Sequence, residues 1–298
     1  VYDLWLMQAR PSMQMLERFG GDIIQVPHRA PAFGLSRERM KQFPFHGIEM
    51  LVPEAFSPRT TENGSLEIVE NGRVIGRMPN KGFYFDMVDH PYSELEEVSE
   101  IDALQIKPMS DEDIAYLGRM AKTLYETTDK SLMYYYPRKI FEDGIQNWGF
   151  ENFLIQLVSN EEMIHRYFER ITDVYLYDIK RILDQIGPYI DIFRFVDDLG
   201  TQINTLVSKT CYEQMIKPYQ KKVYRSVKEY APQVHVALHS CGAIRPFLPD
   251  LIECGVEVLN PVQISAAGMN PKELKEEFGK DLVFWGGGAN MQFTAVNG

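Results

Sequence analysis

Ile192-Phe-Arg-Phe-Val-Asp-Asp-Leu-Gly-Thr-Gln202 sets the pattern from which the fold is read: a short apolar run, then a polar, glycine-bearing segment, then helical spacing over residues 211–229. The pattern recurs. Apolar runs at 234–238, 256–259 and 282–285 alternate with helical segments at 245–254 and 270–278, the last with Asn270 as N-cap, Pro271 at N1 and Gly279 beyond its end. Strand and helix alternating at this spacing imply right-handed βαβ units and a parallel sheet. Residues 131–136 extend the series backward. A doubly wound sheet and a closed (β/α)8 TIM barrel both satisfy the alternation; the chain length and the lack of a phosphate-loop fingerprint after the first strand favour an α/β barrel.

The segments that follow the strands carry the chemistry. Asp197-Asp-Leu-Gly-Thr-Gln202, His239-Ser-Cys-Gly242, Asn260-Pro-Val-Gln263 and Trp285-Gly-Gly-Gly288 would converge on the face where barrel enzymes keep their active sites. In Val234-His-Val-Ala-Leu-His-Ser-Cys241 a period of two sets Val234, Val236 and Leu238 on one side and His235, Ala237, His239 and Cys241 on the other. His239 and Cys241 then point into the mouth together. An imidazole and a thiolate so placed can bind one Zn²⁺, although such a pair also occurs as simple packing.

Other residues admit two readings each. Asp197 and Asp198 could supply an acid or base to the site, or one could be solvated while the other caps the following helix. Gln202 and Gln263 suit substrate positioning. Gly286 and Gly287 could cradle a phosphate with backbone N–H groups or simply permit close backbone approach. Tyr134-Tyr135-Tyr136 could line a pocket or fill the barrel wall. His165 reads as a packed residue. His28 and Arg29 lie on a proline-punctuated loop.

The first half reads as scaffold within a single domain of residues 1–298, with a β-rich excursion over 43–107. Residues 65–69 and 73–77 flank Glu70-Asn71-Gly72, whose Asn-Gly pair tolerates positive φ and predicts a hairpin. Helical spacing covers residues 3–19 and 110–125, the latter capped by Ser110, and Ser159 with Glu162 forms a capping box for a helix running toward Gly187. Of 298 residues, 31 are basic and 42 acidic; the net charge of −11 argues against a nucleic-acid partner. No apolar run approaches the roughly 18 residues of a membrane span, and the first residues lack a secretory pattern. Cys211, Cys241 and Cys254, an odd count without a secretion signal, read as reduced thiols. A cytoplasmic location follows as the expectation.

Taken in order, these polar segments and Lys217-Pro-Tyr219 resemble the uroporphyrinogen decarboxylase superfamily, closely over 195–288 and more loosely back through Gly82-Phe-Tyr-Phe-Asp86 and Ile140-Phe-Glu-Asp-Gly144. The resemblance implies a (β/α)8 barrel, and the superfamily holds both cofactor-independent decarboxylases and zinc-using, cobalamin-dependent methyltransferases. His239-Ser-Cys241 stands where the methyltransferase branch has a zinc-binding His-x-Cys. The N-terminal Arg-rich segment of the decarboxylases has only a faint echo in Trp5-Leu-Met-Gln-Ala-Arg10. The branch therefore implies Zn²⁺ on His239 and Cys241; beside that pair, Asp198, Gln202 and Tyr136 are read as catalytic residues and Gln263, Gly286 and Gly287 as facing the cofactor. It also implies cobalamin carried by a separate corrinoid protein and a small methyl donor or acceptor. The family places a further cysteine ligand near its C-terminus; none follows Cys254 here. Either the last βα unit is absent from the chain, or Asp198, Gln202, Glu257 or water completes the site, or there is no metal. The alternative is a metal-free carboxy-lyase in which Asp198 stabilises a cationic intermediate and Tyr136 or His239 handles the proton. A non-catalytic barrel is the third possibility.

Overall fold

The structure is a computed structural model that describes residues 3–288, Arg10 and Pro31 excepted. Its elements run α1 (Met13–Phe19), β1 (Ile23–Gln25), β2 (Met40–Phe45), β3 (Ile48–Pro53), β4 (Arg59–Thr60), β5 (Leu66–Glu70), β6 (Arg73–Met78) and β7 (Asp86–Met87). There follow α2 (Val98–Ala103), α3 (Asp111–Thr127), β8 (Ser131–Tyr135), α4 (Phe141–Trp148), α5 (Phe150–Ser159), α6 (Glu161–Ile186) and β9 (Ile192–Val196). The chain continues through α7 (Lys209–Cys211), α8 (Lys217–Tyr230), β10 (His235–His239), α9 (Leu248–Glu253), β11 (Val258–Asn260), α10 (Pro271–Phe278) and β12 (Val283–Phe284). Two compact units emerge where the sequence reads as one domain: Val1–Ile23 with Pro27–Tyr92, and Ile24–Val26 with Ser93–Gly298.

The first unit is antiparallel. β2 pairs with β3, and β4 to β7 form a separate four-stranded sheet. The expected hairpin is β5–β6, with Asn71 at φ 49° and Gly72 at φ 79°, the paired positive φ values of a type I′ turn. Glu67 is buried between Arg59 and Arg77, which donate to it across the strands and hold its carboxyl below the usual range. Leu4, Val52, Phe56 and Phe85 form the apolar centre. The helix expected over 3–19 is confined to α1. Pro11 cannot continue a helix from upstream, Ser12 caps a new one by accepting from Met15 N, and Asp3 pairs antiparallel with Gln8 instead.

The second unit is the α/β body. Its six-stranded sheet runs β1-β8-β9-β10-β11-β12, and the pairings from β8 through β12 are parallel. The strand series expected from sequence is therefore present; among the described residues the sheet is not closed into a barrel. Alternation divides its faces. Tyr134, Phe193, Phe195, Val236 and Leu238 are fully buried on the side that meets the helices, with Phe195 packed 4.6 Å from the Tyr224 ring of α8. Tyr135, Arg194, Val196, Ala237, His239 and Asn260 occupy the other face in matched register.

The helices follow local rules with two exceptions. Ser110 caps α3 by accepting from Asp113 N, and Asp111, Glu112 and Asp113 oppose the positive end of the helix dipole. Asn270 accepts from Lys272 N and Glu273 N as expected. Ser159, expected to cap α6, instead ends α5 by donating to Ile155 O, and Asn160 takes the N-cap position. The helix expected over 211–229 is interrupted by a π turn at Tyr212–Ile216, because Pro218 has no N–H to return to the carbonyl four residues back.

Candidate metal centre at the strand ends

The site is assembled from the ends of β9 and β10. Leaving β9, the chain turns at Leu199-Gly200, and leaving β10 it turns at Cys241-Gly242; the two turns meet backbone to backbone. A Cβ on Gly242, at φ 89°, would lie 2.4 Å from the Gly200 carbonyl carbon, and one on Gly200 would lie 2.8 Å from Ala243 N. Only glycine allows that approach. Two hydrogen bonds clamp it, Ala243 N to Thr201 O at 2.8 Å and Leu199 N to the buried Ser240 Oγ at 3.2 Å.

The clamp brings Asp198 against Cys241. Asp198 Oδ1 accepts from Cys241 N at 2.8 Å, and Cys241 Sγ lies 3.5 Å from His239 Nε2. A carboxylate oxygen of Asp198, an imidazole nitrogen of His239 and Cys241 Sγ all fall within 4.8 Å of one another. One oxygen, one nitrogen and one sulfur donor converging at a half-buried point suit a borderline ion such as Zn²⁺. Burial depresses the proton affinity of His239, helped by the Arg194 charge, so the ring is neutral and has a lone pair to offer. Burial and the Asp198 carboxylate push the Cys241 thiol up to about 12. Without a cation beside it, this thiol stays protonated.

A polar ring surrounds the three donors. Glu142 Oε2 accepts from Asp198 N at 3.0 Å, and its other oxygen pairs with Lys139 at 3.0 Å. Arg194 lies on the neighbouring strand with its guanidinium 2.8 Å from His239 Nδ1 and 6.0 Å from the centre of the Tyr135 ring. Asn260 Oδ1 lies 2.7 Å from the same Nδ1. Sequence reading assigned no role to Glu142, Arg194 or Asn260. A charge in the middle of the apolar run Ile192-Phe-Arg-Phe-Val196 is the signal that marks Arg194.

Asp197 is turned the other way. Fully buried, it accepts from the N–H groups of Ile140, Phe141 and Glu142 and from Gln220 Nε2 at 2.8 to 3.2 Å, capping α4. One of the two aspartates does cap a helix, but an earlier one in the chain, not the one that follows. Burial, with Glu142 nearby, raises the Asp197 carboxyl to about 7 against the pull of these donors.

The remaining expected residues separate. Tyr136 lies on the helix face, fully buried against the rings of Tyr175, Phe193 and Phe195, so it is turned away from His239. Tyr135 is the tyrosine on the site face. Gln202 and Gln263 form a brace: Gln202 donates to Ser265 Oγ and accepts from Gln263, which accepts from Gly242 N at 2.8 Å. Their amides hold the loop of Cys241 in place. Gly286, at φ 131°, and Gly287, at φ 78°, pack against Pro261, Val262 and Ile264, which is the close-approach reading of these glycines. Cys254 is buried behind α8, where its thiol faces Lys217 O, and Glu257 pairs with Lys228 and His235. His165 meets Tyr219 between helices, and His28 and Arg29 belong to the first unit. Arg10 lies outside the described residues. A groove of about 560 Å³ opens between Asn204, Ala243, Pro249 and Phe278, and none of the three donors lines it.

No helix among the described residues is long and apolar enough to cross a membrane. No curated protein matches the chain. Among solved structures, a methyltransferase from Methanosarcina mazei superposes with a TM-score of 0.50 at 15% identity, covering 71% of this chain and 58% of that one. The chain therefore spans less than two thirds of that neighbour's length, and the likeness is one of fold. Residues 142–286, which hold Glu142, Arg194, Asp198, His239, Cys241 and Asn260, match the model of the uroporphyrinogen decarboxylase family.

Proposed function

We propose that this protein is a zinc-dependent methyltransferase that exchanges a methyl group between a small donor or acceptor and a methylcobalamin carried by a separate corrinoid protein. The observation that carries this reading is the convergence of Asp198, His239 and Cys241 within 4.8 Å at the ends of adjacent parallel strands. Support comes from the superfamily match and from the fold shared with a methanogen methyltransferase. The eight-stranded barrel and the remaining strands belong to the same reading.

Zinc held there would supply Lewis acidity and stabilise negative charge on a sulfur or oxygen donor. The chain's own residues prepare for this. His239 offers a neutral ring, Cys241 a thiol whose proton leaves only when positive charge is adjacent, and Asp198 an oxygen fixed by the Cys241 N–H. Glu142 holds the Asp198 backbone, and the Gly200–Gly242 contact prevents the two loops from drifting apart. Tyr135 and Arg194 line the same face and position whatever occupies it.

The test is transfer of the methyl group from free methylcobalamin to a small thiol by zinc-loaded protein, followed by the cobalamin absorbance. The reading expects turnover that His239→Ala and Cys241→Ala abolish. Carbon dioxide release from a carboxylate substrate without metal or corrinoid, and no methyl transfer, would replace it with the carboxy-lyase reading, in which His239 alone of the two proton carriers considered faces the site.

A further inference from the structure

His239 Nδ1 has two neighbours that make opposite demands. Arg194 Nη2, 2.8 Å away, can only donate; satisfied at Nδ1, it requires a lone pair there and sends the ring proton to Nε2, against Cys241 Sγ. Asn260 Oδ1, 2.7 Å away, can only accept, which requires the proton on Nδ1 and leaves Nε2 bare. Which demand prevails decides whether His239 has a lone pair facing Asp198 and Cys241.

The orientation of the Asn260 amide resolves the conflict. Its Nδ2 donates to Trp285 O at 2.9 Å, so a flipped amide would set oxygen against oxygen at Trp285. The oxygen is thereby held toward the ring. Arg194 has a second acceptor in that same Oδ1, at 3.3 Å, so one oxygen can receive both the ring proton and the guanidinium. With Nδ1 protonated both donors reach Oδ1 and the contact left unpaired is Arg194 Nη2 against Nδ1; with Nδ1 bare the contact left unpaired is the shorter one, Oδ1 against the ring lone pair at 2.7 Å, so the protonated Nδ1 is favoured. The arrangement is built into the sheet: His239 and Asn260 are register partners on β10 and β11, and Trp285 N bonds Leu259 O on the next strand.

We propose that Asn260 is a positioning residue that holds His239 as the Nδ1–H tautomer and so directs the Nε2 lone pair toward Asp198 and Cys241. A ligand nitrogen fixed in advance by its outer partner binds metal without first moving a proton. The inference deepens the metal reading and rests on it for that consequence alone, because the tautomer is a property of the metal-free chain.

Long-range ¹⁵N–¹H correlation spectra of metal-free protein labelled in histidine report the tautomer directly, with the His239 signals assigned by their loss in His239→Gln. The expected result is Nδ1–H in the wild type, unchanged in Arg194→Met, and a shift of the proton to Nε2 in Asn260→Leu, where only Arg194 faces Nδ1. Zinc affinity of Asn260→Leu, measured by competition with a chromophoric chelator, is expected to fall about 10- to 100-fold. An Nε2–H wild type, or an unchanged tautomer in Asn260→Leu, overturns the proposal. The wild-type spectrum decides even if the variant does not fold. An Nδ1–H ring in a protein that binds no zinc would remove the metal reading and leave this inference standing.

Discussion

Asp198 Oδ1 receives the backbone N–H of Cys241 at 2.8 Å, so the carboxylate is placed by the main chain of the strand that carries the other two donors. The bond depends on two loops, from β9 and β10, meeting where neither has a side chain.

Gly242 is the position where that contact is most exposed to mutation. Gly242→Ala demands a positive φ of a residue with a Cβ and drives that atom into the Gly200 carbonyl group. The strain and overpacking together are expected to cost roughly 2–5 kcal/mol. Urea unfolding measures this, and zinc binding should weaken in the same variant. A midpoint equal to that of the wild type would mean the loops separate without penalty.

Asp197 predicts a pH dependence of stability. Its carboxyl is raised to about 7 in the folded protein by burial and by Glu142, against an ordinary value near 4 when unfolded. Between those values the folded state binds the extra proton, so this group's contribution falls as pH rises from about 4 to about 7 and is flat beyond. Asp197→Asn removes the slope. Unfolding at pH 5 and pH 7.5 should therefore show the gap between wild type and variant narrowing at the higher pH; a constant gap would mean Asp197 is ionised throughout.

Tyr135 and Tyr136 should respond differently. Among the described residues the Tyr136 hydroxyl has no hydrogen-bond partner in its buried site, so Tyr136→Phe is expected to leave stability unchanged or raise it by about 1 kcal/mol, with methyl transfer intact. Tyr135→Ala should lower transfer about tenfold, equivalent to about 1.4 kcal/mol in the barrier. The reverse pattern of activities would place the functional tyrosine on the helix face.

The contrast between these neighbours shows what the sequence could yield. The β5–β6 hairpin, α3 and the strands β9 and β10 were legible because each is fixed by local chemistry: an Asn-Gly turn, a serine cap, an apolar run of the right length. The His239–Cys241 pair was legible for the same reason, since a period of two sets both on one face. Three successive tyrosines satisfy the composition of a strand end equally well, and only pairing with Phe193 and Arg194 fixes which one faces the site. Asp197 likewise caps a helix more than fifty residues upstream, a contact that no local pattern encodes. Glu142 and Asn260 acquire meaning only from atoms on other elements.

Metal content tests the central claim most directly. Plasma mass spectrometry on the wild type and on Cys241→Ala, after exhaustive dialysis without chelator, should give about one zinc per chain in the first and none in the second. A wild type that retains no zinc, or a Cys241→Ala variant that retains all of it, would contradict the account and make Cys241 a packing residue.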